Sequence, residues 1–326
     1  MRAGRRKTLI HAAFALVGAV AIALLVRSVG PAALLAALRA SARWLPVLFA
    51  LELGRVAMEV LATCSLSARV RRRVSVAQLA RIHVVSYAVS NVMPAGRAAG
   101  EAVKAAMLSR FIGAPEAAAI GTGNQAAAML GGALAAVPCA IAALVLTGGS
   151  LLTFALAGFA IASVLVVLAF QLACRRHDIG GALVRRFTKM EQATAAFQEA
   201  LDRIPLLPGL ASAASVGSRA LFAVELAVLL YAASGSTSFG RTILALGVSL
   251  VGGAVGDMVP GQLGASDGAF ALAAPTLGIT VADGVAMAMT LHVVQIVWGV
   301  LGWTVPLFWK AAPARHDGAD GLPAES

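Results

Sequence analysis

The stretch NVMPAGRAAGEAVKAAML, residues 91–108, interrupts a strongly apolar chain and decides how the fold is interpreted. Pro94 and several small residues break a hydrophobic run, and Arg97, Glu101 and Lys104 follow the break. Proline removes a backbone donor and stops a helix, and glycine permits the turn after it. A charged side chain at the centre of a bilayer costs about 2.5–3.5 kcal/mol, so these three residues need partners or a polar cavity.

The composition indicates a membrane protein. The chain has 326 residues, of which 60% are hydrophobic and only 13% are charged, with a mean hydropathy of +0.86. Soluble domains carry about 25% charged residues. The net charge of +11 comes from basic residues between apolar runs, which favours a role in topology and anionic-lipid contact over nucleic-acid binding. Three cysteines lie in or beside apolar runs without metal-ligand spacing, so we predict neither a metal nor another cofactor.

The predicted fold is all-α and polytopic, with about six full transmembrane helices and two re-entrant helical hairpins. Residues 1–310 form one transmembrane domain, and residues 311–326 are expected to be a disordered cytoplasmic tail. Residues 31–42 are expected to form a short interfacial helix, and residues 175–207 an amphipathic helix with a loop. The full spans are predicted at 8–26, 44–66, 116–146, 150–173, 208–232 and 283–309.

Two segments, 77–110 and 241–276, start apolar, break at a proline and resume as short Ala-rich helices. If each returns to its starting side, most basic residues of the loops fall on one side of the membrane, in segments 2–7, 69–73 and 175–203. This asymmetry favours re-entrant hairpins and places both termini in the cytoplasm of a multi-pass protein of the cell inner membrane.

The two segments also share a register, which predicts an internal repeat. Asn91 and Asp257 each stand three residues before a proline, and Pro94 and Pro260 each precede an acid by seven residues, Glu101 and Asp267 respectively. The first hairpin would enter from the cytoplasm and the second from outside. Inverted repeats with broken helices are typical of transporters, whose substrate site lies at the midplane.

The helix after Pro94 would begin inside the membrane, where its N-terminus and Arg97 together suit a phosphate. Glu101 could pair with Arg97 or with Lys104. The alternative is that Lys104 and Arg110 extend to the cytoplasmic interface.

Polar residues in other spans are further candidates. Glu52, Arg55 and Glu59 share one helical face, either as a self-satisfied triad or as a cavity wall with Arg55 facing phosphate. Arg219 is interpreted as structural, and Glu225 needs a partner. Glu52, Glu59, Glu225 and His292 are candidates for ion or proton coupling.

MPAGRAAGEAVK, residues 93–104, and VPGQLGASDGAF, residues 259–270, resemble the two motifs of the lysylphosphatidylglycerol synthase/flippase transmembrane domain family. The resemblance covers about residues 8–309. Asp267 stands where that family usually has Glu, Gln262 replaces a glycine, and His292 lies near a usual arginine. The resemblance implies lipid translocation without the soluble synthase domain. Its structural motif residues here are Pro94, Gly96, Gly100, Pro260, Gly261 and Gly264.

The prediction is therefore translocation of a polar-headed lipid, anionic or aminoacylated, through a polar cavity between the hairpins, without enzymatic activity. Alternatives are a membrane-embedded polyprenyl lipid phosphatase or an ion-coupled small-solute transporter. Expected partners are a membrane phospholipid or polyprenyl lipid, with a second copy of the chain and a separately encoded lipid-biosynthesis enzyme as further candidates. No catalytic residue is assigned. The substrate-binding residues are predicted to be Asn91, Arg97, Glu101, Lys104, Arg55, Asp257 and Asp267.

Overall fold

The computed structural model of the chain describes residues 27, 30–93, 96–175, 191–257, 259 and 262–308. These residues form helices without strands, in agreement with the predicted all-α class. The helices are α1 (Pro31–Ala42), α2 (Leu45–Leu66), α3 (Ala68–Arg73), α4 (Val76–Val92), α5 (Gly96–Ile112), α6 (Ala114–Thr147), α7 (Leu151–Arg175), α8 (Glu191–Asp202), α9 (Gly209–Ser234), α10 (Phe239–Gly256), α11 (Ala265–Leu277) and α12 (Val281–Phe308).

Five of the described helices are long and apolar enough to cross a membrane, namely α6, α7, α9, α10 and α12. Four of them, all except α10, coincide with predicted spans. The apolar face of α7 is open to its surroundings, since Phe154, Ile161 and Leu165 are each more than half exposed. An exposed apolar face of this size is expected where a helix contacts lipid, so the chain is a multi-pass membrane protein.

The remaining predicted segments either lie outside the described residues or differ from the prediction in detail. Residues 8–26 lie outside the described residues, as does the tail 311–326. Helix α2 matches the span 44–66 in position, but Glu52, Arg55 and Glu59 keep it outside the five apolar helices. Helix α10 has 18 residues and is roughly 27 Å long, close to the thickness of the hydrocarbon core, although we predicted it as half of a hairpin.

The prediction of two broken segments matches the course of the chain. Helices α4 and α5, here called the first hairpin, pack against each other on either side of the motif that contains Pro94. Helices α10 and α11, the second hairpin, do the same around the motif that contains Pro260 and Gly261. These two prolines and Gly261 lie outside the described residues, so their role in the breaks stays a prediction.

Local sequence explains where the hairpins begin. Ser75 and Gln78 cap α4 reciprocally, because each side chain accepts a hydrogen bond from the backbone N–H of the other. Ser238 caps α10 by accepting from the backbone N–H of Arg241. Helix α6 packs against α5, α7, α9 and α10, and it therefore holds the first hairpin beside the rest of the bundle.

Glycines allow the arms of the first hairpin to approach closely. A Cβ on Gly96 would lie 1.9 Å from the backbone oxygen of Ser90, a distance no real Cβ reaches. A Cβ on Gly100 would lie 3.0 Å from the backbone oxygen of Ser86, whose hydroxyl donates to the Gly100 carbonyl at 2.7 Å. The small side of α5 therefore faces α4, and its charged side faces elsewhere.

Candidate functional site

A cavity of about 440 Å³ lies between the first hairpin, α2, α6, α9 and α10. Its lining is unusual for a membrane bundle because it combines acids, bases and neutral polar side chains. The charged residues in the lining are Glu52, Arg55, Glu59, Arg97, Glu101, Lys104, Arg219 and Asp257.

The first hairpin supplies a charged stripe to this cavity. Arg97, Glu101 and Lys104 are spaced i, i+4 and i+7 along α5, so they share one helical face. Gly96 and Gly100 occupy the part of α5 that contacts α4. The small residues of α5 therefore pack against α4, and its charged residues line the cavity.

The sequence left open whether Glu101 pairs with Arg97 or with Lys104, and in the structure it pairs with Lys104. Lys104 Nζ lies 2.7 Å from Glu101 Oε1, and only 4% of the Lys104 side chain is exposed. The alternative in which Lys104 extends to the interface does not describe this structure, whereas Arg110 is exposed. Arg97 Nη2 lies 3.8 Å from Glu59 Oε1 on α2, which joins the first hairpin to the neighbouring span.

Arg55 is the centre of a second charge group. Its Nη1 donates to Glu52 one turn away and lies 3.6 Å from Glu225 Oε2 on α9. Its guanidinium also stacks over the Phe222 ring, 4.5 Å from the ring centroid. The predicted triad of Glu52, Arg55 and Glu59 is thus divided, because Glu59 pairs with Arg97 instead.

The second hairpin presents a different chemistry. Asp267 is 1% exposed, accepts a hydrogen bond from the backbone N–H of Gly264 at 2.8 Å, and contacts His292 Nε2 at 3.1 Å. This pair fixes α11 to α12 and lies outside the cavity lining. The second hairpin lines the cavity with Ser249, Gln262 and the exposed Asp257.

One short segment of helix α12 makes side-chain hydrogen bonds with both hairpins. The Asn91 side-chain amide donates to the backbone oxygen of Gln295 at 3.2 Å, and His292 lies one turn earlier, beside Asp267. The C-terminal end of α4 and the N-terminal end of α11 are therefore tied to the same stretch of α12. The sequence offered no sign of this link, because the partners are about 200 residues apart.

The structure gathers most of the predicted site residues around the cavity. The lining contains Asn91, Gly96, Arg97, Glu101, Lys104, Arg55, Glu52, Glu59 and Asp257. Gly100, Gly264, Asp267, Glu225 and His292 lie outside the lining, although Glu225 reaches the site through Arg55.

Many lining residues were not predicted as site residues, and Gln125 and Arg219 are among them. Within the part of the chain that the structure describes, the buried Gln125 Oε1 atom has no hydrogen-bond partner, and Arg219 of α9 lines the cavity without a salt bridge. The signal for Arg219 was available, since an arginine inside a span is a functional candidate by default. His83 also lines the cavity, where its Nε2 atom forms a hydrogen bond with the Thr63 hydroxyl at 2.9 Å.

The described part of the chain has no group of three or more His, Cys, Asp or Glu residues placed to hold a metal ion. The family model for the lysylphosphatidylglycerol synthase TM region matches residues 10–302 of the chain. Searches of curated proteins and of solved structures returned no match. The matched family is a membrane region connected with lipid, as the two motifs led us to expect.

Proposed function

Because the chain belongs to the lysylphosphatidylglycerol synthase transmembrane family, we propose that it translocates a polar-headed lipid across the cell inner membrane. The headgroup, anionic or aminoacylated, would cross through the cavity between the hairpins while the acyl chains stay in the bilayer. Both termini would be cytoplasmic, and a separately encoded enzyme would supply the lipid.

The observation that carries this proposal is the lined cavity itself. A volume of about 440 Å³ is in the range of small-molecule sites and suits a headgroup. Lys104, Glu101, Arg55 and Glu52 are held in pairs inside the bundle, where isolated charges would be costly. A paired but polar interior lowers the cost of moving a charged headgroup away from water.

The hairpins supply the second support. In transporters with inverted repeats, broken helices meet at the substrate site and irregular backbone lines a wet cavity. Here the two breaks come together beside the same cavity, through Asn91 and Met93 on one side and Asp257, Val259 and Gln262 on the other. We propose that both hairpins are re-entrant and related as an inverted repeat.

The test is a headgroup-access assay with the purified full chain in liposomes. The rate at which dithionite bleaches inner-leaflet fluorescent lipid would be compared for a labelled anionic phospholipid and a labelled polyprenyl phosphate. Wild-type protein should accelerate bleaching of at least one lipid, and folded Arg97→Ala and Glu101→Gln variants should lose most of the acceleration. Bleaching no faster than in protein-free liposomes would contradict the proposal. Release of phosphate from a polyprenyl diphosphate would support a phosphatase instead.

A further inference from the structure

Arg219 differs from the other basic residues of the cavity in having no acidic partner. Arg55 contacts Glu52 and Glu225, Arg97 contacts Glu59, and Lys104 contacts Glu101. Within the described residues, Arg219 makes neither a salt bridge nor a hydrogen bond. It nevertheless lines the cavity near the middle of an apolar span.

The surroundings of Arg219 concentrate positive charge. Its guanidinium is repelled by Arg97 and by Arg55 and is attracted by Glu59, which already pairs with Arg97. On the facing helix α6, a Cβ added to Gly132 would come within 4.0 Å of Arg219 Nη2, so the absent side chain leaves room there. Three guanidinium groups therefore line the cavity. The nearby carboxylates form salt bridges with two of them, Arg55 and Arg97, and not with Arg219.

A cation without a salt bridge is costly inside a bundle, and among the described residues the attraction of Arg219 to Glu59 is shared with Arg97. A ligand that supplies negative charge would complete the arrangement. The planar guanidinium fork matches the oxygens of a phosphate and can bind two of them at once.

We propose that Arg219 binds the phosphate of the transported headgroup and so determines which headgroups enter the cavity. The identification of that phosphate as part of a lipid rests on the proposed function. The contact itself requires only phosphate oxygens, which a lipid headgroup or free phosphate could provide. In this assignment Arg97 adds to the positive potential of the cavity, but it already lies 3.8 Å from Glu59. Arg219 is therefore the group that contacts the phosphate directly.

The experiment is calorimetric titration of the purified full chain in dodecyl maltoside, a detergent without phosphate. The probes are dihexanoyl phosphatidylglycerol, dihexanoylglycerol and inorganic phosphate. Arg219→Gln should weaken binding of the phosphatidylglycerol at least about tenfold, because a charge-assisted contact is lost. Arg110→Gln is the matched control, since Arg110 is exposed on α5 and should leave the affinity unchanged.

A stability measurement separates a ligand contact from a structural role. Without ligand, Arg219→Gln should melt at or above the wild-type temperature, because it removes a charge that has no partner. Arg55→Gln should melt below it, since Glu52 and Glu225 would be left without their cation.

The proposal would be overturned by an Arg219→Gln variant that binds phosphatidylglycerol like wild type, or by equal binding of dihexanoylglycerol. A melting temperature well below wild type for Arg219→Gln would also overturn it. Arg219-dependent binding of inorganic phosphate would show that the phosphate group is sufficient for recognition. If phosphatidylglycerol binds and inorganic phosphate does not, the whole headgroup is recognised. Arg219-dependent binding without lipid translocation would overturn only the proposed function, and translocation that survives Arg219→Gln would overturn only this inference.

Discussion

The two hairpins have matching breaks but use their acidic residues differently. In the first hairpin Glu101 lines the cavity and pairs with Lys104 of the same helix at 2.7 Å. In the second, Asp267 lies outside the lining and joins α11 to His292 of α12 at 3.1 Å. Two acids that stand in the same sequence register therefore differ in their surroundings, since Glu101 lies in the cavity lining and Asp267 joins α11 to α12.

The largest expected effect comes from breaking the buried pair of the first hairpin. Lys104→Met leaves Glu101 without its cation, and loss of one partner of a buried pair costs about 3–5 kcal/mol. We expect the lower end, because Glu101 faces the cavity. Thermal unfolding in detergent, with the Lys104→Met/Glu101→Leu double variant as control, measures this. The double variant should recover most of the loss, and a single variant as stable as wild type would show that the pair contributes little.

The next effect tests the close approach within the first hairpin. Gly96→Ala places a methyl group against the Ser90 backbone oxygen and should reduce stability by about 1–3 kcal/mol. Gly268→Ala in α11 is the control, because no atom of the described residues lies within 4 Å of its added Cβ. That control should be neutral or slightly stabilising in the same melting experiment. Equal melting temperatures for the two variants would mean that α4 and α5 do not pack as closely at Gly96 as the 1.9 Å approach requires.

A smaller effect is expected in the second hairpin. Asp267→Asn keeps an acceptor for the Gly264 N–H but loses the charge that faces His292, at a cost of about 1 kcal/mol. Hydrogen exchange of α11 peptides should rise while that of α5 peptides stays unchanged. Faster exchange in both hairpins would indicate that they are coupled through α12.

The smallest effect concerns Gln262, where the motif of the family has glycine. Gln262 has φ 57°, the positive value at which a non-glycine residue is strained, and it stands alone in this respect among the described residues. Gln262→Gly should raise the free energy of unfolding by about 0.5 kcal/mol, and Gln262→Ala should not, since it keeps the strained backbone. Chemical denaturation of both variants measures this difference. An equal increase in the free energy of unfolding for Gln262→Ala would show that the positive φ of Gln262 is not a source of strain.

The sequence predicted the elements better than their contacts. Span 116–146 corresponds to Ala114–Thr147, because a long apolar run specifies a helix by itself. The pair of Glu101 and Lys104 could be considered because the residues are three apart on one helix. The sequence could not predict the pair of Arg97 and Glu59 or the pair of Asp267 and His292. The members of each pair belong to different helices, and the sequence does not show how those helices pack.

The same limit explains Arg219, which we first interpreted as structural. An arginine in a span is expected to have a partner, and only the packed arrangement shows that the nearby carboxylates are taken by Arg55 and Arg97. The number of full spans stays a prediction, because residues 8–26 lie outside the described residues and α10, predicted as a hairpin arm, is also long and apolar enough to cross.

The most direct test of the account compares the two hairpins in one dithionite assay, with anionic phospholipid in liposomes and no ion gradient. The double variants Glu101→Gln/Lys104→Gln and Asp267→Asn/His292→Gln each remove both members of a buried pair, so neither leaves an uncompensated charge. We predict that the first loses at least about tenfold in bleaching rate, while the second stays within about twofold of wild type. A first double variant that moves lipid at the wild-type rate would contradict the claim that the charged stripe of the first hairpin forms the headgroup path.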